Sequence, residues 1–177
     1  MRLFFALWPP AQAAVKLDRI ARSTTRNLGG RPTRRETLHL TLAFLGEVEE
    51  CDVSRLVVTA QGIGSAPFEL EIDCLDRWHH NRLLWAGCRK PLPALFDLVS
   101  NMRGTLHQAG FIAGKREAPF TPHVTLIRKL PENAWANELP TIEPIHWPCK
   151  EFALVRSRLS EIGPAYESLA KFPLIGR

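Results

Sequence analysis

Two short segments limit what this chain can fold into more than anything else in it. HLTLAFLG begins at His39, and HVTLIRKL begins at His123. Each sets His and Thr two residues apart, with apolar residues between and after them. Side chains two apart on a strand point to the same face. His39 and Thr41 then share one face, with Leu40 and Leu42 on the other; His123 and Thr125 stand likewise opposite Val124 and Leu126. The His–Thr separation along such a strand is about 6.6 Å, taking ~3.3 Å per residue. Each strand anchors an apolar face in a core and offers an imidazole and a hydroxyl on its other side.

The rest of the pattern says how two such strands are supported. A chain of 177 residues accommodates one domain, or two small lobes sharing a core. Residues 2–8 read as a buried strand, and residues 10–24 as a proline-started helix with Leu17, Ile20 and Ala21 inward. After Gly29-Gly30 comes a basic segment, then the 39–45 strand. Asp52 is placed to cap a helix with Val53, Leu56, Val57 and Ala60 on one face. Residues 68–74 alternate strictly, and 83–88 return as a strand after the His79-His80-Asn81 turn. Leu92, Leu95, Phe96, Val99, Met102 and Leu106 mark a longer helix closed near Gly110. Residues 124–127, 152–158 and 166–172 complete the strands, the last two turned near Gly163-Pro164, while the Pro-rich 131–148 reads as loop. This is an α+β pattern. A His-x-Thr strand follows a helix in both halves, which predicts two similar lobes about a pseudo-twofold axis. The prediction is a single bilobal domain over 1–177, with a lobe boundary near 89–93 and room for strands to exchange between lobes.

Composition narrows the setting. Hydrophobic residues make up 45% and charged residues 23%, which argues against disorder. The net charge of +5 leans towards an anionic partner. Cys51, Cys74, Cys88 and Cys149 are widely spaced and form no C-x-x-C, which reads as reduced thiols in a cytoplasmic protein. The apolar run 3–8 is short for a signal core and ends at Pro9-Pro10, and no stretch is long enough to span a membrane.

The doubled pair suggests a chemistry. An imidazole titrates near neutrality and serves as acid or base. Two of them facing one phosphorus can do both: one takes a proton from the nucleophile while the other gives one to the leaving group. In-line displacement needs that division, because the entering and leaving oxygens lie on opposite sides. Two hydroxyls can hold the non-bridging oxygens. The two motifs are nearly symmetric, so the residues alone leave open which histidine is the acid.

HLTLAFLGEV and TPHVTLIRK, together with the opening RLFFAL, resemble the RNA 2′,3′-cyclic phosphodiesterase family, also called the 2′-5′ RNA ligase family, of the 2H phosphoesterase superfamily. The resemblance covers nearly the whole chain, including the motif spacing. It implies a bilobal α+β fold, flanked by helices, with a groove between two antiparallel sheets. It implies hydrolysis of a terminal 2′,3′-cyclic phosphate on RNA to a 2′-phosphate, with no metal and no cofactor. His39 would be the proton donor to the departing 3′ oxygen, and His123 the proton acceptor that activates water. Thr41 and Thr125 would bind phosphate, and Arg128 would add positive charge. The partner is then an RNA with a 2′,3′-cyclic phosphate end, met by a cytoplasmic monomer with no membrane association; joining of RNA ends in reverse is a further expectation. The alternatives are a phosphodiesterase for a different small cyclic or 2′-linked nucleotide, and a non-catalytic module that grips RNA ends.

Other residues get plainer readings. Phe44 falls on the core side of a regular strand, unless a bulge turns it. Arg31, Arg34, Arg35, Lys115 and Arg116 precede the motifs and could line a groove, or simply be solvated. His79 and His80 fit no common zinc spacing and read as a wet turn. His107 suits a helix C-terminus, and His146 sits in the Pro-rich loop. Trp78, Trp85 and Trp147 are candidates for base stacking or packing. No phosphate-binding G-x-x-x-x-G-K-[ST] loop occurs, which disfavours an ATP-dependent ligase.

Overall fold

The opening apolar run folds as β1 (Arg2–Leu7), and its alternation already shows two environments. Leu3, Phe5 and Leu7 enter the main core, whereas Phe4 and Ala6 join Ala153, Val155 and Tyr166 in a small cluster on the opposite face. A strand buried on both faces needs no polar residues, which is why RLFFAL reads as uninterrupted. The structure, a computed structural model, describes residues 1–90, 92–112, 119–160 and 163–176, and the side chain of Ser160 is not described.

Helix α1 (Ala11–Leu28) runs one turn beyond the expected end, burying Ala13, Leu17, Ala21, Thr24 and Leu28 along one stripe. It stops at Gly29 and Gly30, both with positive φ. Gly30 has a second constraint: a Cβ there would lie 2.7 Å from Ile127 Cγ2 and 2.9 Å from the Arg128 carbonyl oxygen. That close approach lets the short β2 (Arg31–Pro32) pair with β7 (His123–Arg128).

Strand β3 (Leu40–Glu47) pairs antiparallel with β1. Further along come α2 (Val53–Gln61), β4 (Phe68–Ile72), β5 (Cys74–Trp78), β6 (Leu83–Gly87) and α3 (Pro93–Gln108). After β7 follow β8 (Ile145–Cys149), β9 (Glu151–Ser160) and β10 (Gly163–Pro173). An eight-stranded antiparallel sheet has the order β10-β9-β1-β3-β7-β6-β5, with β2 beside β7. The two expected sheets are thus halves of one, and they meet through one pairing, Leu40 with Val124. The expected boundary at 89–93 does not separate these halves, because β6 before it and β7 after it are hydrogen-bonded neighbours. The first half is built from both ends of the chain and the second from its middle.

The helices cross over. Helix α1 follows β1 but packs on β7 and β8; α3 follows β6 but packs on β3, and α2 packs on α3 and β10. The main core therefore lies on one face of the joined sheet, and the motif side chains stand on the other.

Four readings of the sequence change. The strand expected over 68–74 is two strands: Asp73 breaks it, accepting a hydrogen bond from the Arg89 N–H at 2.8 Å, and the chain switches from β4, paired with β8, to β5, paired with β6. The Pro-rich 131–148 contains most of β8, where Ile145, Trp147 and Cys149 are buried and His146 and Pro148 exposed. Proline is tolerated there because β4 and β8 form a two-stranded sheet with only edge strands. Asp52 has helical dihedrals and no capping hydrogen bond; its carboxylate pairs with Arg55 instead. The turn expected near Gly163-Pro164 is instead the start of β10, where Gly163 pairs with Ser160 and Pro164 with Leu159.

Candidate active site

His39 sits immediately before β3 and His123 opens β7. In the antiparallel pair, Leu40 faces Val124, so each motif meets the other at the same position. An antiparallel pair has a local twofold axis, and here it relates one His-x-Thr to the other. Carrying the register one residue to either side sets His39 opposite Thr125 and Thr41 opposite His123. One pairing holds the strands, so they diverge and leave a groove of about 490 Å³. His39, Thr41, His123, Thr125 and Arg128 all line it.

The two imidazoles are held alike. His39 Nδ1 lies 2.7 Å from the Thr37 carbonyl oxygen, and His123 Nδ1 lies 2.8 Å from that of Thr121. A carbonyl only accepts, so each Nδ1 carries its proton and each Nε2 is left for chemistry. Their surroundings differ. Phe4, Trp8 and Tyr166 each place a ring centroid 5.1 Å from that of His39. Trp78 meets His123 edge-on at 4.4 Å, and Trp85 stands at 6.2 Å.

Burial pushes His39 down to about 4; the hydrogen bond to Thr37 opposes this, and the charges of Arg128 and His123 add to it. Burial also lowers His123, against its bond to Thr121 and together with Arg128. Burial raises the Tyr166 hydroxyl, opposed by the charges of Arg128, Arg2 and Arg34. Around neutrality the groove therefore holds two neutral imidazoles beside a guanidinium. A bound phosphate would offset that guanidinium and let an imidazole take up a proton.

Phe44 corrects the sequence reading. Two bulges shift the β1–β3 register, and one of them places an extra residue, Leu42, between the partners of Phe5 and Ala6. Leu42 and Ala43 are both buried, and the parity flips. Phe44 emerges on the groove side, 65% exposed, 6.0 Å from Phe4. A bulge leaves no clear mark in a run of β-formers.

The basic candidates divide. Arg34 lines no part of the groove; its Nη2 donates to the Pro164 carbonyl at 2.6 Å and so braces β10. Arg31 pairs in β2, and Arg35 opens a short 3-10 turn. Lys115 and Arg116 lie outside the described residues. The groove instead takes Arg2, Asn81, Ser157 and Tyr166, which sequence reasoning passed over. Tyr166 is the chain's single tyrosine, a weak signal that could have been followed. Trp78 lines the groove, Trp85 is buried beside it, and Trp147 belongs to the main core. His79 pairs with Glu132 and His146 with Glu69, both on the surface.

The model of the LigT-like phosphoesterase family matches residues 7–85. The chain is 33% identical to the RNA 2′,3′-cyclic phosphodiesterase of Escherichia coli, over 98% of this chain and 96% of that protein. It is 31% identical to the protein of the same name from Thermus thermophilus, over 99% and 91% of the two chains. The crystal structure of E. coli LigT complexed with 3′-AMP superimposes with a TM-score of 0.87 at 31% identity, covering 98% of this chain and 97% of that one. The apo form of E. coli LigT gives 0.84, also at 31% identity, over 99% and 98%.

Proposed function

The chain belongs to the LigT-like phosphoesterases, the family that includes the RNA 2′,3′-cyclic phosphodiesterases, and from that premise we propose how its two histidines divide the reaction. It is a hydrolase that opens 2′,3′-cyclic phosphate ends of RNA. Water attacks phosphorus opposite the 3′ oxygen. His123 Nε2 accepts the water proton, the P–O3′ bond breaks, and protonated His39 Nε2 delivers a proton to the 3′ oxygen. The product carries a 2′-phosphate and a free 3′-hydroxyl. Thr41 and Thr125 donate hydrogen bonds to the non-bridging oxygens, and Arg128 offsets their charge. A 5′-hydroxyl in place of water would join two RNA ends in a 2′-5′ linkage by the same displacement.

The observation that supports this reading is the pairing of Leu40 with Val124, together with two imidazoles each tied through Nδ1 to a backbone carbonyl. Two identically prepared Nε2 atoms across one groove suit opposite sides of an in-line displacement. On this reading residues 1–177 act as one bilobal unit, a monomer that needs no metal. Four free cysteines suit a reducing cytoplasm, and no described helix is long and apolar enough to cross a membrane.

The test is a short RNA ending in 2′,3′-cyclic phosphate, incubated with the protein and a chelator. The expected product bears phosphate on the 2′ oxygen. A 3′-phosphate product would reverse the direction of opening, and turnover lost in chelator but restored by a divalent ion would refute the two-histidine reading.

A further inference from the structure

The groove face of β1 carries Phe4, Ala6 and, just past the strand's end, Trp8 at every second position. Ala6 pairs with Thr41 and Leu7 with Leu40, so the register continued one step sets Trp8 opposite His39. Alanine between two large rings leaves a slot, and the His39 imidazole occupies it. Trp8 stacks on the imidazole with planes 14° apart, Phe4 is tilted by 38°, and Tyr166 closes the side edge-on at 85°. Tyr166 also meets Phe4 and Trp8 edge-on, at 5.2 and 6.3 Å, so the rings brace one another. Phe4 and Tyr166 line the groove, but Trp8 does not. Trp8 is 38% exposed.

The charged and titratable groups around His39 come from several elements. Arg128 and His123 stand on β7, Tyr166 on β10, and the charges of Arg2 and Arg34 reach Tyr166. None of these is a carboxylate. What favours an imidazolium here is the Thr37 carbonyl and the π faces packed on the ring, since a cation is attracted to the negative face of an indole within about 6 Å.

We propose that Trp8 is a positioning residue for the proton donor: its indole face holds the His39 ring in the slot and favours its protonated form, without touching substrate. The inference rests on the donor role assigned to His39 above. Trp8 acts on the histidine, so its removal should change when His39 is charged and leave substrate binding nearly alone.

The experiment uses the full chain and its Trp8→Leu and Trp8→Phe variants. Leucine keeps an apolar cover over the ring and removes the π face; phenylalanine keeps a weaker face. The His39 ring signal, assigned by its absence in His39→Gln, is titrated by NMR in the free protein and with adenosine 2′-phosphate bound. Trp8→Leu should lower the His39 titration midpoint by about half a pH unit in both states, the scale of a partly exposed cation–π contact. Trp8→Phe should recover part of that shift. KM for an RNA cyclic phosphate should stay within about twofold, while kcat falls about threefold on the alkaline limb. A midpoint that stays or rises in Trp8→Leu overturns the proposal. So does an unmoved midpoint with a several-fold higher KM, which would make Trp8 a contact for the substrate. If the chain did not open cyclic phosphates at all, the kinetic arm would be silent, yet the NMR midpoint would still decide whether Trp8 acts on His39.

Discussion

Moving from the empty to the occupied groove should shift the whole pH–rate bell towards alkaline pH, and the size of the shift follows from the site. In the free protein His39 titrates near 4 and His123 below its ordinary value of 6.5, both driven chiefly by burial with Arg128 nearby. The kcat/KM profile reports the free enzyme, so its bell should lie on the acid side and descend before pH 6.5. A bound phosphodiester brings one negative charge next to both rings. At about 5 Å and an effective dielectric of ~20, that charge favours an imidazolium by about 3 kcal/mol. This corresponds to about two pH units. The kcat profile, which reports the complex, should therefore lie roughly two units above the kcat/KM profile. The two rings interact, so the limbs belong to the pair rather than to either residue. The assay is steady-state hydrolysis of an RNA cyclic phosphate from about pH 4 to 9, at saturating and at low substrate. Coincident bells, or a rate rising monotonically to about pH 9, would refute this account of the groove's electrostatics.

Further outcomes follow from the same geometry. His39→Ala and His123→Ala should each cut turnover by about 10² or more, with the double variant little worse than either single one, and both should melt cooperatively; Thr41→Ala and Thr125→Ala should cost less. A substrate with sulfur as the 3′ leaving atom needs less protonation, so in single-turnover assays it should restore His39→Ala and leave His123→Ala inactive; the opposite pattern would exchange their roles. Both histidines have folded pKa values below the unfolded one, so their stability contribution is complete above about pH 6.5 and is lost as pH falls towards 4. Thermal melts should show that decline, and His39→Gln should flatten it. Gly30→Ala should destabilise by roughly 2 kcal/mol or more in urea, because φ is +85° and the new Cβ meets Ile127 and the Arg128 carbonyl.

Much of the site was legible because strand alternation is a local rule. His39 with Thr41, and His123 with Thr125, needed only period two to be placed on the open face, and the groove lining agrees. Phe44 was misread by the same rule, since the bulge at Leu42 depends on the partner strand and not on the residues of β3. The break at Asp73 was hidden in a perfect alternation: both strands it separates are half-buried, and the switch of sheet is decided by Gly87, Arg89 and β8. β8 was lost because proline usually argues against a strand, an argument that fails at an edge. The half-sheets draw strands from both sides of residues 89–93, since β9 and β10 lie beside β1 and β3. A chain whose two ends build one half-sheet has no single cut that separates the halves.

The joined sheet also explains how a nearly symmetric motif can serve an asymmetric reaction. The local twofold at Leu40–Val124 gives both histidines the same backbone anchor and the same free nitrogen. Symmetry ends with the strands that flank them. β3 is followed outward by β1 and then β9 and β10, which bring Phe4, Trp8 and Tyr166 around His39. β7 is followed by β6 and β5, which bring Trp85 and Trp78 to His123. Among the described residues, an aromatic ring stacks on the face of His39 alone; Trp78 and Trp85 meet His123 at 67° and 70°. Burial lowers both imidazoles, but their aromatic surroundings differ: an indole stacks on His39, while Trp78 meets His123 edge-on at 4.4 Å. The division into donor and acceptor would then come from the neighbouring strands rather than from the motifs, which is why two motifs read alone could not assign it.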